Sequence, residues 1–552
     1  MTENTYDAIV IGGGHNGLVN AAYLARGGLR TVVLEQRHLV GGAAITEELH
    51  PGFSFTTFSY ALSLLRPQVV EELELPRHGF APLEMPTSFA PTTGGDHLLM
   101  GEDTADNLRQ LDRLAPGDAD GYLRYQHDLH RVVELVRPLM DRVPPNLFGS
   151  STSGGATTGS GADAALTEQD GVDVAWLMHH LRGADRRVLL DLVRLVTGSA
   201  ADFLDHYLDG ELVKGWLSSS GTIGSSLGPM SPGSGLVLLY HCLGEHDGRT
   251  GSWSFHQGGN GGFTQVLARA AEAHGVQIRL ESRVDRVLTD GDRATGVVLV
   301  DGTELHAPVV VSSLDPRQTF TRLVAPQSLP TDLVDAVQRL RFTGVSAKVN
   351  FALDGPPHYP ALAGRSDQFR GFVNIGPSME YLERAFDASK YGWYSERPFI
   401  DCALQSFVDP GMAPPGKHVL SCFVQYAPYR LRGGENRGGN DWDAQREPFG
   451  DVVQATMSEF FPGFDDLVLH REVVTPLDIE RVTGLSEGNI FGGELFAQQL
   501  YFMRPAPGWA GYRTPIRGYY QCGSGTHPGG CVTGGPGRLA GQVILTDRTT
   551  AT

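Results

Sequence analysis

The chain of 552 residues predicts an α/β fold, in which a Rossmann-like dinucleotide-binding domain is joined to a discontinuous α+β substrate domain. Three observations carry that expectation. A strand, a Gly-x-Gly-x-x-Gly turn, a helix and a second strand occupy the head of the chain. A glycine-rich segment runs into a helix at its tail, and a second glycine-rich helix start lies near the middle, followed by short strands.

The head unit begins with Tyr6-Asp7-Ala8-Ile9-Val10-Ile11, an apolar run suited to a buried parallel strand. Gly12 permits the tight turn, Gly14 lets the backbone approach a pyrophosphate, and Gly17 lets the helix over residues 16–26 pack closely on the sheet. His15 and Asn16 stand at the start of that helix, where free N–H groups face an anion. Gly27 and Gly28 end it, and Thr31-Val32-Val33-Leu34 forms the next strand. Glu35 follows, placed to accept from both ribose hydroxyls and to disfavour a 2'-phosphate.

At the tail, Tyr519-Tyr520-Gln521 reads as a strand leading into Cys522-Gly523-Ser524-Gly525. The segment from His527 to Gly537 is glycine-rich and ends in a helix through about Ile544, with Thr533 as its N-cap and Pro536 in its first turn. In the middle, Trp253 to Phe263 precedes a helix over residues 262–274. Residues 276–280, 284–288 and 295–300 then read as strands of a meander with a turn at Asp301-Gly302, and Val309-Val310-Val311 returns to the main sheet.

FAD and NAD share the adenosine diphosphate that the head unit grips, and the residues just downstream separate them. Glu35-Gln36-Arg37 followed by Gly41-Gly42 resembles the phytoene desaturase and amine oxidase superfamily of FAD enzymes. Ala43 stands where many of those proteins have Arg, and in this the chain is more similar to the group named pyridine nucleotide-disulfide oxidoreductase domain-containing protein 2. The resemblance implies a glutathione reductase-type FAD-binding domain and FAD as the cofactor. It places Gly12, Gly14, His15, Asn16, Gly17, Glu35, Gln36, Arg37, Gly41, Gly42 and Ala43 on the adenosine diphosphate, and the backbone of Val284 on the adenine. It places Gly523, Ser524, Val532 and Thr533 along the ribityl chain and flavin ring, where a helix start stabilises the negative charge of the reduced flavin. Asn260 replaces the Met of the related Gly-Gly-Met-Gly segment.

The same resemblance implies one FAD domain assembled from residues 1–75, 253–325 and 508–552, and a substrate domain from 76–252 and 326–507. Residues 149–171 are rich in Gly, Ser, Thr and Ala and read as a mobile loop; residues 432–440 read as an exposed one. Helical periodicity is visible over 119–143 and 172–195. Apolar stretches near Trp216, Met230 and Leu236, and the run Tyr501-Phe502-Met503-Arg504-Pro505, are candidates to roof a substrate pocket.

A formal charge of −19 argues against nucleic acid as a partner. No apolar run is long enough for a transmembrane helix and the start lacks the features of a secretory signal, although peripheral membrane contact remains compatible. The five cysteines form no C-x-x-C pair, which fits a reducing, cytoplasmic setting and argues against disulfide reductase chemistry. No His or Cys cluster has metal spacing.

The function so implied is that of an FAD-dependent oxidoreductase of desaturase, saturase or isomerase type. It would act by hydride transfer on CH–CH bonds of a lipophilic small molecule, with oxygen or a quinone as electron acceptor. A flavin amine oxidase is the alternative, and a non-catalytic flavin-binding interaction protein a third. His527, in the flavin-edge segment, is the leading candidate for the proton-transferring group and His256 the second.

Overall fold

The computed structural model describes residues 4–147, 168–246, 249–251, 253–432 and 441–551. The loops expected at 149–171 and 432–440 lie almost wholly outside the described residues.

A five-stranded, all-parallel sheet runs Gln277–Arg279, Thr31–Leu34, Ala8–Ile11, Val309–Ser312, Tyr519–Gln521. Its three central strands are apolar on both faces, as a sheet covered on two sides requires. Side chains alternate between the covers. Ala8, Val10, Val33 and Val311 meet the helices His15–Arg26, Gly259–Ala273 and Gly535–Ala551. Ile9, Ile11, Val32, Leu34 and Val310 meet the antiparallel strands Val284–Asp290, Arg293–Leu299 and Glu304–His306.

The first meander strand expected from the sequence belongs elsewhere. Residues 277–279 lie at the edge of the parallel sheet, with Gln277 opposite Val32 and Arg279 opposite Leu34. The preceding helix decides this, because a strand that leaves a helix packed on a parallel sheet re-enters that sheet by a crossover. Its polar side chains suit the edge: Gln277 Oε1 accepts from the Tyr6 hydroxyl at 2.6 Å, and Arg279 Nη2 donates to that Tyr6 hydroxyl oxygen at 2.7 Å.

A second sheet has seven strands, ordered Val468–Val474, Ser346–Leu353, His418–Gln425, Phe399–Ala403, Phe372–Ile375, Ser88–Pro91 and His97–Met100. Every pairing is antiparallel except that of Phe372–Ile375 with Ser88–Pro91. One face packs Val349, Phe351, Ile400, Cys402, Leu420 and Cys422 against the helix Trp442–Phe460. The other face carries Lys348, Asn350, Asn374, Asp401, Ser421 and Phe423, all buried or nearly so.

The helical layer differs from expectation at its ends. The helix predicted over 119–143 spans Asp118–Val136 and tightens into a 3-10 turn, Arg137–Asp141, where Pro138 cannot supply an N–H. The helix predicted over 172–195 is two, Glu168–Arg182 and Arg186–Thr197, broken at Gly183; Asp185 caps the second, accepting from Arg187 N at 2.7 Å. Among the described residues no helix is long and apolar enough to cross a membrane.

Head and tail meet where the first and last helices touch. A Cβ on Gly537 would lie 2.3 Å from the Asn16 carbonyl oxygen and 3.0 Å from Val19 Cβ, and Asn20 Nδ2 donates to the Gly537 carbonyl at 3.0 Å. Gly537→Ala is therefore expected to wedge the helices apart at a cost of about 1–3 kcal/mol. Thermal unfolding checks it, as a lowered midpoint.

Candidate active site: a dinucleotide trough opening on a buried lysine

The trough begins at the first turn. Gly12 has φ +94°, a left-handed conformation that favours glycine. Gly17 has no room for a side chain, because its Cβ would lie 2.1 Å from the Gly12 carbonyl oxygen. Gly14 is the opposite case: nothing lies within 4 Å of where its Cβ would be, so its surface faces open space. Gly41 N donates to Gly13 O at 2.9 Å and lays the second glycine segment beside the first.

Glu35 is held at the end of its strand by two backbone donors, Gly13 N to Oε2 and Arg37 N to Oε1, each at 2.8 Å. Burial pushes its pKa up, while those N–H groups and the Arg37 charge oppose the shift. Arg37 is held in turn by Glu47 at 2.8 Å.

The cavity so formed encloses about 1900 Å³ of space, its open mouth included. Of the residues placed on the cofactor from the sequence, Gly12, Gly14, His15, Asn16, Gly17, Glu35, Gln36, Arg37, Gly41, Gly42, Ala43, Val284, Ser524 and Val532 line it. Gly523 and Thr533 do not. Gly523 sits behind Ser524 against the 313–314 backbone, and Thr533 is buried beneath the last helix, its hydroxyl accepting from Gly535 N at 3.1 Å.

Five of the lining residues carry buried polar atoms without a protein partner, His241 Nε2 and Ser346 Oγ in the wider chamber and, beside the glycine turns, His15 Nε2, Asn16 Oδ1 and Arg37 Nη1. Burial lowers the His15 pKa to about 4, so its ring is neutral. The three unspent groups beside the turns, with Glu35 and the bare Gly14 surface, are the donor and acceptor set that a ribose and a pyrophosphate complete. The residues fit FAD.

The two histidines singled out from the sequence are not among the lining residues. His527 is buried, with Nε2 2.8 Å from the Leu139 carbonyl and the Tyr501 ring edge-on at 5.3 Å. Desolvation, its largest influence, lowers its pKa to about 4. His256 has both nitrogens committed: Nδ1 donates to Gln257 O at 2.6 Å, and Nε2 accepts from Ala81 N at 3.1 Å. The 501–505 run is also absent from the lining. Its Arg504 is buried and donates to the carbonyls of Phe491, Gly493, Glu494, Gln499 and Ser524, bracing the flavin-edge loop from behind. From the helical insertion only Ile223 and His241 reach the cavity.

The group that sequence reasoning missed is Lys348. It lies mid-strand in Ser346–Leu353, is 2% exposed and lines the cavity beside Tyr60 and Phe423. The chain has four lysines. Lys214 pairs with Asp205 and Glu211, Lys390 with Glu383 and Asp387, and Lys417 with Asp354. Lys348 has no ion-pair partner among the described residues; its Nζ donates to Ser421 Oγ and lies 4.2 Å from the centre of the Tyr60 ring. Burial lowers its pKa to about 7. A lone lysine in a strand otherwise buried on both faces is the signal that marks it.

Cys531 also lines the cavity, and burial pushes its thiol up to about 12, so it stays protonated. All five cysteines are free. Among the described residues no group of three His, Cys, Asp or Glu side chains is arranged to hold a metal ion.

Comparison with known proteins agrees with this geometry. A model of the family described as flavin containing amine oxidoreductase matches residues 17–432. The rat pyridine nucleotide-disulfide oxidoreductase domain-containing protein 2 is 38% identical, over 98% of this chain and 94% of its own. A phytoene desaturase (lycopene-forming) of a Paracoccus species is 26% identical, over 99% of this chain and 98% of its own. Among solved structures, a triple mutant of putrescine oxidase superposes with a TM-score of 0.58 at 15% identity, covering 99% of each chain, and shows the likeness of fold.

Glu35→Ala is expected to weaken FAD binding by about 10- to 100-fold, the loss of one or two hydrogen bonds to a charged acceptor. Titration of the apoprotein with FAD, followed by flavin fluorescence, measures it.

Proposed function

Since the chain belongs to the flavin-containing amine oxidoreductase family, we propose that this FAD-dependent enzyme acts on a carbon–carbon bond of a lipophilic small molecule, with Lys348 as proton acceptor. One observation carries the reading. The trough that fits the dinucleotide is continuous with a chamber walled by Phe58, Ala61, Ile223, Trp253 and Phe423, and Lys348 is the amine within it.

Removing two hydrogens from adjacent carbons releases a hydride equivalent and a proton as the double bond forms. Bound FAD supplies the hydride acceptor. The proton needs a base in a chamber with little water, and Lys348 Nζ, neutral above a pH of about 7, takes it and becomes an ammonium. The apolar wall holds the substrate by burial and keeps water from competing for that proton. Oxygen or a quinone would serve as the terminal electron acceptor. The phytoene desaturase among the relatives, whose name records a hydrocarbon substrate, supports the lipophilic class.

Amine oxidation is the weaker reading. The Tyr60 ring face that could receive an ammonium substrate already has Lys348 Nζ 4.2 Å from its centre.

Anaerobic rapid mixing tests the proposal. Terpenoids or polyenes in detergent are expected to bleach the oxidised flavin band, and primary amines to leave it unchanged. Lys348→Met should keep FAD and slow the bleaching by about 100-fold or more. In the unaltered protein the rate should rise as pH passes upward through about 7 and then level, because only the neutral amine accepts a proton. Bleaching by amines with matching hydrogen peroxide, and none by polyenes, would overturn the reading.

A further inference from the structure

A base that acquires a positive charge inside an apolar chamber needs something to receive that charge, because an isolated buried ammonium is strongly disfavoured. The surroundings of Lys348 are built accordingly. Its Nζ lies 4.2 Å from the centre of the Tyr60 ring. The Tyr60 hydroxyl donates to Asp401 Oδ2 at 2.7 Å. Asp401 is 5% exposed and lies on the strand Phe399–Ala403, on the same sheet face as Lys348 and behind the cavity wall rather than in it.

We infer that Tyr60 and Asp401 are positioning residues that form a built-in counter-charge for the ammonium created on Lys348, the carboxylate acting both directly and through the phenol ring that it polarises. The inference rests on the proposed role of Lys348 as proton acceptor. A phenol that donates to a carboxylate becomes richer in electrons, and a richer ring face attracts a cation more strongly. The three groups come from three separate segments and meet through the ring of Tyr60.

The electrostatic setting is consistent on every side. The titratable groups whose charge bears on Lys348 are Asp401 and Cys402 on Phe399–Ala403, Cys422 on His418–Gln425 and Glu472 on Val468–Val474, beside the ring of Tyr60. The two thiols belong to the apolar core on the opposite sheet face. Glu472 is turned to Asn350, whose Nδ2 donates to Oε2 at 3.3 Å. Asp401 is the acid joined to the ring over which the amine sits. Burial raises its pKa to about 7, opposed by the Tyr60 hydrogen bond, the Lys348 charge and Asn374. Above that pH the carboxylate is ionised while Lys348 is largely neutral, the state in which a base awaits a proton with its counter-ion in place. Ser421 Oγ, accepting from Nζ and donating to Asn350 Oδ1 at 3.0 Å, fixes the direction of the amine without supplying charge.

The small number of lysines makes the inference directly measurable. In the FAD-loaded protein labelled with 13C at lysine Cε, four resonances are expected, and one of them titrates near pH 7. Lys348→Met identifies it. In Asp401→Asn the midpoint should fall by about one pH unit, and the ascending limb of the flavin-bleaching rate should move down by the same amount as its plateau drops. Tyr60→Phe keeps the ring and removes its link to the carboxylate, so the midpoint should fall by less; it decides the question if Asp401→Asn does not fold. A Lys348 midpoint that stays in place in both variants, or in Tyr60→Phe alone when the other is not folded, overturns the counter-charge. A midpoint that moves while the bleaching rate and its pH profile do not supports the counter-charge and removes Lys348 from the reaction.

Discussion

The structure depends on one constraint, the approach of backbone to backbone at the point where the head of the chain meets its tail. The Gly12 carbonyl lies where a Gly17 side chain would begin, and the Asn16 carbonyl where a Gly537 side chain would begin. With both contacts bare, the first helix settles onto the sheet and the last helix onto the first. The segment that precedes the last helix is thereby carried to the cavity, where Asn16 Nδ2 reaches Ser524 Oγ at 3.2 Å. Arg538 and Tyr23 then converge on Glu72, at 2.8 and 2.6 Å, and fasten the same junction from the side. The cofactor trough is the space left when these glycine contacts close, which is why so much of its wall is main chain.

Burial governs the chemistry of the adjoining chamber. It keeps His15 and Cys531 from carrying charge at neutral pH, brings the titration of Lys348 down to about pH 7, and raises the pKa of Asp401 by the same physics with the opposite consequence for an acid. Lys348 and Asp401 are driven toward each other in proton affinity, one from above and one from below.

How much of this was legible in the sequence follows from the range of each constraint. The Gly12 to Gly17 turn, Glu35 and Gly41-Gly42 are legible as one unit, and line one cavity, because turn, helix start and strand end constrain one another within a few residues. Gly523 and Thr533 miss the wall by one position, since alternate residues of an irregular loop face opposite ways. The strand at 277–279 was assigned to the meander because polar Gln277 and Arg279 resemble a half-exposed hairpin; their partner is Tyr6, far back in the chain. The helix break at Gly183 carried its usual signals, a glycine followed by an aspartate cap, inside a run whose apolar periodicity masked them. The Lys348 site was beyond reach of any local pattern, because Tyr60 and Asp401 are 341 residues apart and meet only when the second sheet is laid across the first domain.

The histidines show why residue type is a weak guide to a flavin-edge role. His527 falls in the segment that carries Ser524 and Val532, yet its neighbours spend that segment on anchorage. Tyr512 Oη donates to the His527 carbonyl at 2.7 Å, Tyr240 Oη to the Gly530 carbonyl at 2.9 Å, and Arg504 to the Ser524 carbonyl. A loop held by its carbonyls from three directions presents main chain to the cofactor and turns its imidazole into the protein. The proposed proton acceptor, Lys348, comes instead from the middle of a sheet strand, whose neighbours on both sides hold it far more rigidly than a loop could. Cofactor binding by a glycine-lined junction and proton transfer by a sheet face are then separable, and the second can change without disturbing the first.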